Sequence, residues 1–154
     1  MTNPLIQISW QTGAPPPEFD EPALLLALAG FLHALGFSSS GASVLMADDA
    51  ALLALNAEHR GQHNPTDILS WSYLEQGGDP PDLLGELAVS LERVQVQAEE
   101  NGWSNQTELL RLLAHGCTHL AGYDHQTEEA DREMRAVEIA LLEGAGLRGI
   151  YPEG

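Results

Sequence analysis

Apolar and polar positions fall into short runs punctuated by glycine, proline and aspartate, and the runs predict strands mixed with helices. Pro4-Leu5-Ile6-Gln7-Ile8-Ser9-Trp10 is short, apolar and partly β-branched, and predicts a strand. Residues 14–17, Ala-Pro-Pro-Pro, break it and form a loop too short to link domains. From Asp20 to Gly36 the chain reads as a helix, with Asp20 as its cap, Pro22 in the first turn and Gly36 at its end. Apolar residues cover nearly the whole circumference of this helix, which predicts that it is well buried. Ser43 to Ala47 predicts a second strand. Asp48 then caps a helix running to about Arg60, which Gly61 stops. Ile68 to Leu74, after Pro65-Thr66-Asp67, predicts a third strand, and Leu83 to Ser90 a fourth. Gly85, inside the fourth, marks a close backbone approach or a bulge. A short helix follows from Leu91 to about Glu100. A longer one, capped by Ser104 or Asn105, runs to about Ala121 with Gly122 at its end. Thr127 caps the last helix, which reaches Glu143, and residues 147–154 read as a frayed tail. Four strands among about five helices predict an α+β domain.

Composition narrows the class. A chain of 154 residues, 44% of them hydrophobic, predicts one globular domain spanning residues 1–154. The single cysteine, Cys117, excludes an internal disulfide and any CxxC centre. The longest strongly apolar stretch, Ala23 to Leu32, is too short to cross a bilayer, and there is no basic leader; the expectation is a cytoplasmic protein without membrane contact. The charge is lopsided: 23 acidic residues against 6 basic ones, all arginine, for a net −17. A body this negative repels nucleic acid on average, so any RNA contact has to be local, through a few arginines or a metal ion. The same surface suits a basic protein partner.

Chemistry concentrates in His115-Gly116-Cys117-Thr118-His119-Leu120-Ala121-Gly122-Tyr123-Asp124-His125. His115 and His119 are one turn apart on a predicted helix, on one face, where two imidazoles can pinch a transition-metal ion. Gly122 ends the helix and lets the chain turn back, bringing His125 to the same ion. Three neutral imidazoles leave at least one coordination position open, the pattern of a catalytic zinc site and not of a closed structural one. Cys117 points roughly to the opposite face and belongs in the core. The spacing matches the metzincin protease pattern HExxHxxGxxH with one change: Gly116 stands where the general-base glutamate should be, which argues against ordinary peptide hydrolysis.

The stretch from His115 to His125 resembles the HGxLHLxGYDH signature of the YbeY family of bacterial metal-dependent endoribonucleases. Leu55-Asn56-Ala57-Glu58-His59-Arg60-Gly61 followed by Pro65-Thr66-Asp67-Ile68-Leu69-Ser70-Trp71 is similar to that family's LNxxxR…PTDVLSF segment. Leu84-Gly85-Glu86-Leu87-Ala88-Val89-Ser90 is similar to its LGDIxIS strand. Thr118, Glu86, Trp71 and His59 depart from the usual residues. The resemblance implies a zincin-like α+β fold with one mixed four-stranded sheet, and one zinc ion on His115, His119 and His125. It also implies single-strand-specific cleavage of RNA in maturing the 3′ end of small-subunit ribosomal RNA, and a part in ribosome quality control. The implied partners are ribosomal RNA, a small-subunit ribosomal protein and an Era-type GTPase. Two other readings stay open: a non-enzymatic ribosome assembly factor with a structural zinc, and a metal-dependent hydrolase of peptides or small molecules.

Other residues carry weaker signals. Arg60, at a helix end, is either a planar donor for phosphate or a cation favoured by the helix dipole; with the resemblance, phosphate contact is the expectation. Asp124 either orients a histidine or braces a turn. Thr66, Asp67 and Ser70 read as loop bracing, and Glu86 as either a carboxylate acting on water or a solvated one. His33, His59 and His63 read as histidines without a metal role. Arg132 and Arg135 read as partners of Glu128, Glu129 and Asp131 on a solvated helix face.

Overall fold

Five side-chain oxygens start five helices among the described residues. Asp20, Asp48, Ser90, Ser104 and Thr127 each accept the backbone N–H three residues on, from Ala23, Ala51, Arg93, Thr107 and Ala130, satisfying donors that the first helical turn leaves unpaired. The computed structural model describes residues 5–62, 66–75 and 78–151. Its elements run β1 (Ile6–Trp10), α1 (Glu21–Ala34), β2 (Gly41–Ala47), α2 (Asp49–Arg60), β3 (Ile68–Ser72), β4 (Leu83–Ser90), α3 (Leu91–Asn101), α4 (Asn105–Leu120) and α5 (Glu128–Gly144). The α+β architecture with one mixed four-stranded sheet is as expected. No helix among the described residues is long and apolar enough to cross a membrane.

The strand order is β1-β2-β4-β3. The first three strands run parallel, and β3 lies antiparallel to β4 at the edge. Side chains alternate between the two faces. Ile8, Val44 and Leu87 are register partners on the face that packs against α1 and α4. Ala47, Leu69 and Ala88 form a smaller core on the other face, under Leu52 of α2. The glycine inside β4 does mark a close approach: a Cβ on Gly85 would collide with the Trp71 carbonyl and the Leu120 side chain.

Several expectations need correction. β2 begins at Gly41, and β3 ends at Ser72, not Leu74. Helix α1 buries Leu24, Leu28, Phe31 and Leu32, but Leu26 is 60% exposed. An all-round apolar helix on the outer layer of a sheet meets the core on one side only. The tail is not frayed over its whole length: Leu147, Ile150 and Tyr151 pack against the main core, and Leu147 N donates to Leu142 O at 2.8 Å. Pro4, His63 and Pro65 lie outside the described residues, as does the last part of the tail, residues 152–154.

Candidate metal centre

Helix α4 carries two kinds of side chain. Leu109, Leu112, Leu113, Cys117 and Leu120 are buried in the main core, whereas His115 and His119 are only half-buried. Cys117 therefore sits in the core as expected, and burial pushes its thiol up to about 12. Gly116 faces the sheet. A Cβ there would stand 2.8 Å from Leu87 Cδ2 and 2.9 Å from Ile68 Cδ1. A glutamate at this position would point into the helix–sheet interface against Leu87 and Ile68, not towards the histidines.

The end of α4 is fixed by two devices. Ser72 Oγ donates to Leu120 O at 2.7 Å, tying the helix end to β3. Gly122 adopts φ +100°, a left-handed conformation that reverses the chain. The exposed loop that follows brings His125 back towards the helix. The ring centres of His115 and His119 lie 4.6 Å apart, those of His119 and His125 5.5 Å, and those of His115 and His125 6.4 Å.

These separations test whether zinc fits. Two imidazoles on one tetrahedral zinc place their ring centres on the order of 5 Å apart, given metal–nitrogen bonds of about 2.0–2.1 Å. Two of the three pairs are close to that spacing. The third is wider, and among the described residues no three His, Cys, Asp or Glu donors already close on a common point. The adjustment falls on His125, which is exposed on a loop and has no hydrogen-bond partner for its ring among the described residues.

The donor chemistry fits as well. His115 Nδ1 is hydrogen-bonded to Glu138 Oε1, and His119 Nδ1 to the Tyr123 carbonyl at 3.1 Å. Each ring thus has one nitrogen occupied and Nε2 left as the donor for an ion. Burial first, and the neighbouring His115 second, hold the His119 imidazole below its ordinary value. It is neutral at pH 7 and ready to ligate. Beside His119 opens a groove of about 400 Å³, lined by Ser72, Leu74, Pro80 and Gly122 among others, which gives access to the site.

The remaining candidates lie elsewhere or do other work. Arg60 Nη2 donates to the Ser70 carbonyl, and its guanidinium lies 5.5 Å from the Trp71 ring centre. Among the described residues these two contacts place Arg60 against the edge strand. His59 packs edge-on against the same Trp71 at 5.8 Å. Glu86 accepts a hydrogen bond from the Tyr73 hydroxyl. It lies between Gly85 and Leu87, which face α4, so it projects from the other face of the sheet. Asp124 Oδ1 accepts from Gln126 N at 3.2 Å, which is the turn-bracing role. Thr66 Oγ1 donates to Ile68 O at 3.2 Å, and the Asp67 carbonyl accepts from Ser90 N at 2.9 Å, both bracing the entry to β3. Arg135 stacks over Tyr151, 5.7 Å from its ring centre, instead of pairing with the acidic start of α5.

Three residues escaped the sequence reading. Ser72 acts through a hydroxyl that no pattern distinguishes. Glu108 is buried on α4 and accepts from Gln97 Nε2 at 2.7 Å, Trp103 Nε1 at 2.9 Å and Arg111 Nε at 3.0 Å. Glu138 is buried on α5 in line with Met134 and Leu141. A carboxylate interrupting an apolar i, i+4, i+7 stripe was a readable signal.

Comparison with known proteins adds an independent line. Residues 38–146 match the family described as Endoribonuclease YbeY. An Endoribonuclease YbeY of Symbiobacterium thermophilum is 46% identical over 134 residues, covering 82% of each chain. One from Thermus thermophilus is 40% identical over 129 residues, covering 82% of this chain and 92% of the relative. The solution structure of TM1509 from Thermotoga maritima shares the fold, with a TM-score of 0.58 and 21% identity over 96% of this chain and 99% of the other.

Proposed function

The chain belongs to the YbeY endoribonuclease family, and from that premise we propose that it is a zinc-dependent endoribonuclease that cleaves single-stranded RNA during maturation of small-subunit ribosomal RNA. The observation that carries the metal part of this reading is the gathering of three imidazole rings at one helix end, two of them already anchored through Nδ1. His115, His119 and His125 would hold one zinc ion. When bound, zinc supplies a Lewis acid for a phosphate oxygen and lowers the pKa of water.

The chain's own residues supply position and access. Gly116 lets α4 lie close on the sheet, Ser72 and Gly122 fix where the helix ends, and His119 lines the groove beside it. Arg60 crosses the free edge of β3, and its exposed guanidinium retains N–H groups that can meet a phosphate passing that edge. The reading extends to ribosome quality control in the cytoplasm, with a basic small-subunit ribosomal protein and an Era-type GTPase as partners. The net charge of −17 supports a basic partner.

The test combines metal analysis with cleavage of unstructured RNA by wild type and His119→Ala, each with and without chelator. The expected result is one zinc per wild-type chain and cleavage that both the chelator and the substitution abolish. Intact cleavage by metal-free protein overturns the zinc reading. A variant that folds, binds no metal and still supports ribosomal RNA maturation in cells favours a non-enzymatic assembly factor. Chelator-sensitive cleavage of an unstructured peptide, with RNA untouched, favours a peptide hydrolase.

A further inference from the structure

A carboxylate on the last helix stands behind the candidate ligands. Glu138 is 5% exposed, and its neighbours along the same stripe of α5 are Met134, Leu141 and Leu142, all buried. Burying a carboxylate among apolar side chains is costly unless a specific donor meets it. Among the described residues it has no arginine partner. Arg111 is committed to the buried Glu108, and Arg135 lies over Tyr151. Among the described residues, Glu138 is hydrogen-bonded to His115 Nδ1, 23 residues earlier in the chain. Tyr151 completes the surroundings: burial first, and the Glu138 charge second, hold its hydroxyl above its ordinary value.

We propose that Glu138 is a positioning residue that keeps His115 in its Nδ1-protonated form, with the Nε2 lone pair turned towards His119 and His125. The inference rests on the zinc reading above and deepens it. A neutral imidazole carries one ring proton, and the carboxylate accepts it at Nδ1. The lone pair is then on Nε2 by elimination. His119 gets the same treatment from the Tyr123 carbonyl, but a carboxylate does more than a carbonyl: it adds a negative charge behind an otherwise neutral ligand set and raises the donor strength of the ring. Glu138 also fixes the rotation of His115 from a different helix, so the ring is held from two sides.

The test uses the full chain with Glu138→Leu and Glu138→Gln. Leucine fills an apolar slot, so the metal-free protein is expected to be as heat-stable as wild type or more so. Zinc affinity, measured by competition with a chromophoric chelator, is expected to fall 10–100-fold. Glutamine keeps an acceptor for Nδ1–H, and its affinity is expected to stay within a few-fold of wild type. Nitrogen NMR of metal-free protein, which distinguishes the two tautomers of the neutral ring, is expected to show His115 protonated at Nδ1 in wild type and Glu138→Gln, and mixed in Glu138→Leu. The proposal is overturned if wild-type His115 carries its proton on Nε2, or if Glu138→Leu binds zinc as tightly as wild type. Because the tautomer is read without metal, it decides on Glu138 even where wild type proves unable to bind zinc, the result that sinks the zinc reading separately.

Discussion

Gly116 decides how closely α4 lies on the sheet. Its missing side chain leaves only the flexible ends of Leu87 and Ile68 near the backbone. Gly116→Ala is therefore expected to lie between neutral and about 2 kcal/mol destabilised in a urea titration: overpacking of about 1–3 kcal/mol is set against about 1 kcal/mol of helix propensity. Gly116→Glu restores the protease pattern on paper but buries a carboxylate with no donor. It is expected to lose on the order of 3 kcal/mol or more and to gain no peptidase activity. The next residue gives a second check. With its thiol pushed up to about 12 and fully buried, Cys117 is expected to resist a thiol reagent at pH 8 until denaturant is added. Rapid labelling of the native protein would contradict this packing. Both residues were legible from their place in the histidine motif. Glu138 was legible only as an anomaly in an apolar stripe, because its partner comes from another helix.

At the level of elements, the strongest polar joint is the one around Glu108. It ties the end of α3, the Trp103 turn and the first turns of α4 to one carboxylate. Burial alone would raise the Glu108 carboxyl, but hydrogen bonds from Arg111, Gln97 and Trp103 outweigh it and hold the group below its ordinary value of 4.5. A carboxylate lowered in the folded state adds stability above its unfolded value, and this is lost as pH falls through the folded one. Glu108→Ala leaves a partly buried arginine without its carboxylate and is expected to cost about 3–5 kcal/mol at pH 7. The gap between wild type and variant should shrink below about pH 4.5 in thermal melts. A gap independent of pH would mean that packing, not charge, is what Glu108 provides. The caps at Asp20, Asp48, Ser104 and Thr127 were legible because a short polar side chain before a helix acts locally; Ser90, which ends β4 and caps α3 at once, was read only as strand. The exposed side of α1 was not, because the apolar count of one helix says nothing about which neighbours the sheet will supply.

For the molecule as a whole, the balance of 23 acids against 6 arginines limits what RNA can find. Two arginines are already paired with buried or half-buried carboxylates, Arg111 with Glu108 and Arg93 with Asp49. Few phosphates can then be neutralised, so the protein alone is expected to bind unstructured RNA weakly at physiological salt and more tightly once a basic ribosomal protein is added. Filter binding across a salt series checks this, and tight binding by the protein alone would contradict it. The histidine motif and two strand motifs were enough to read the family from the sequence. The placing of Glu86 on the sheet face away from α4 was not readable, because it depends on the register of β4 with its neighbours.

One consequence follows from the shared duty of α4. Each added residue turns a helix by about 100°, so a single insertion between Asn105 and Ala114 would swing the imidazoles and the leucines out of phase together. An insertion between Tyr123 and His125 would spare that phase and displace one ring. Upstream of the glycine, folding and chemistry are a single trait under mutation; downstream, they can drift apart.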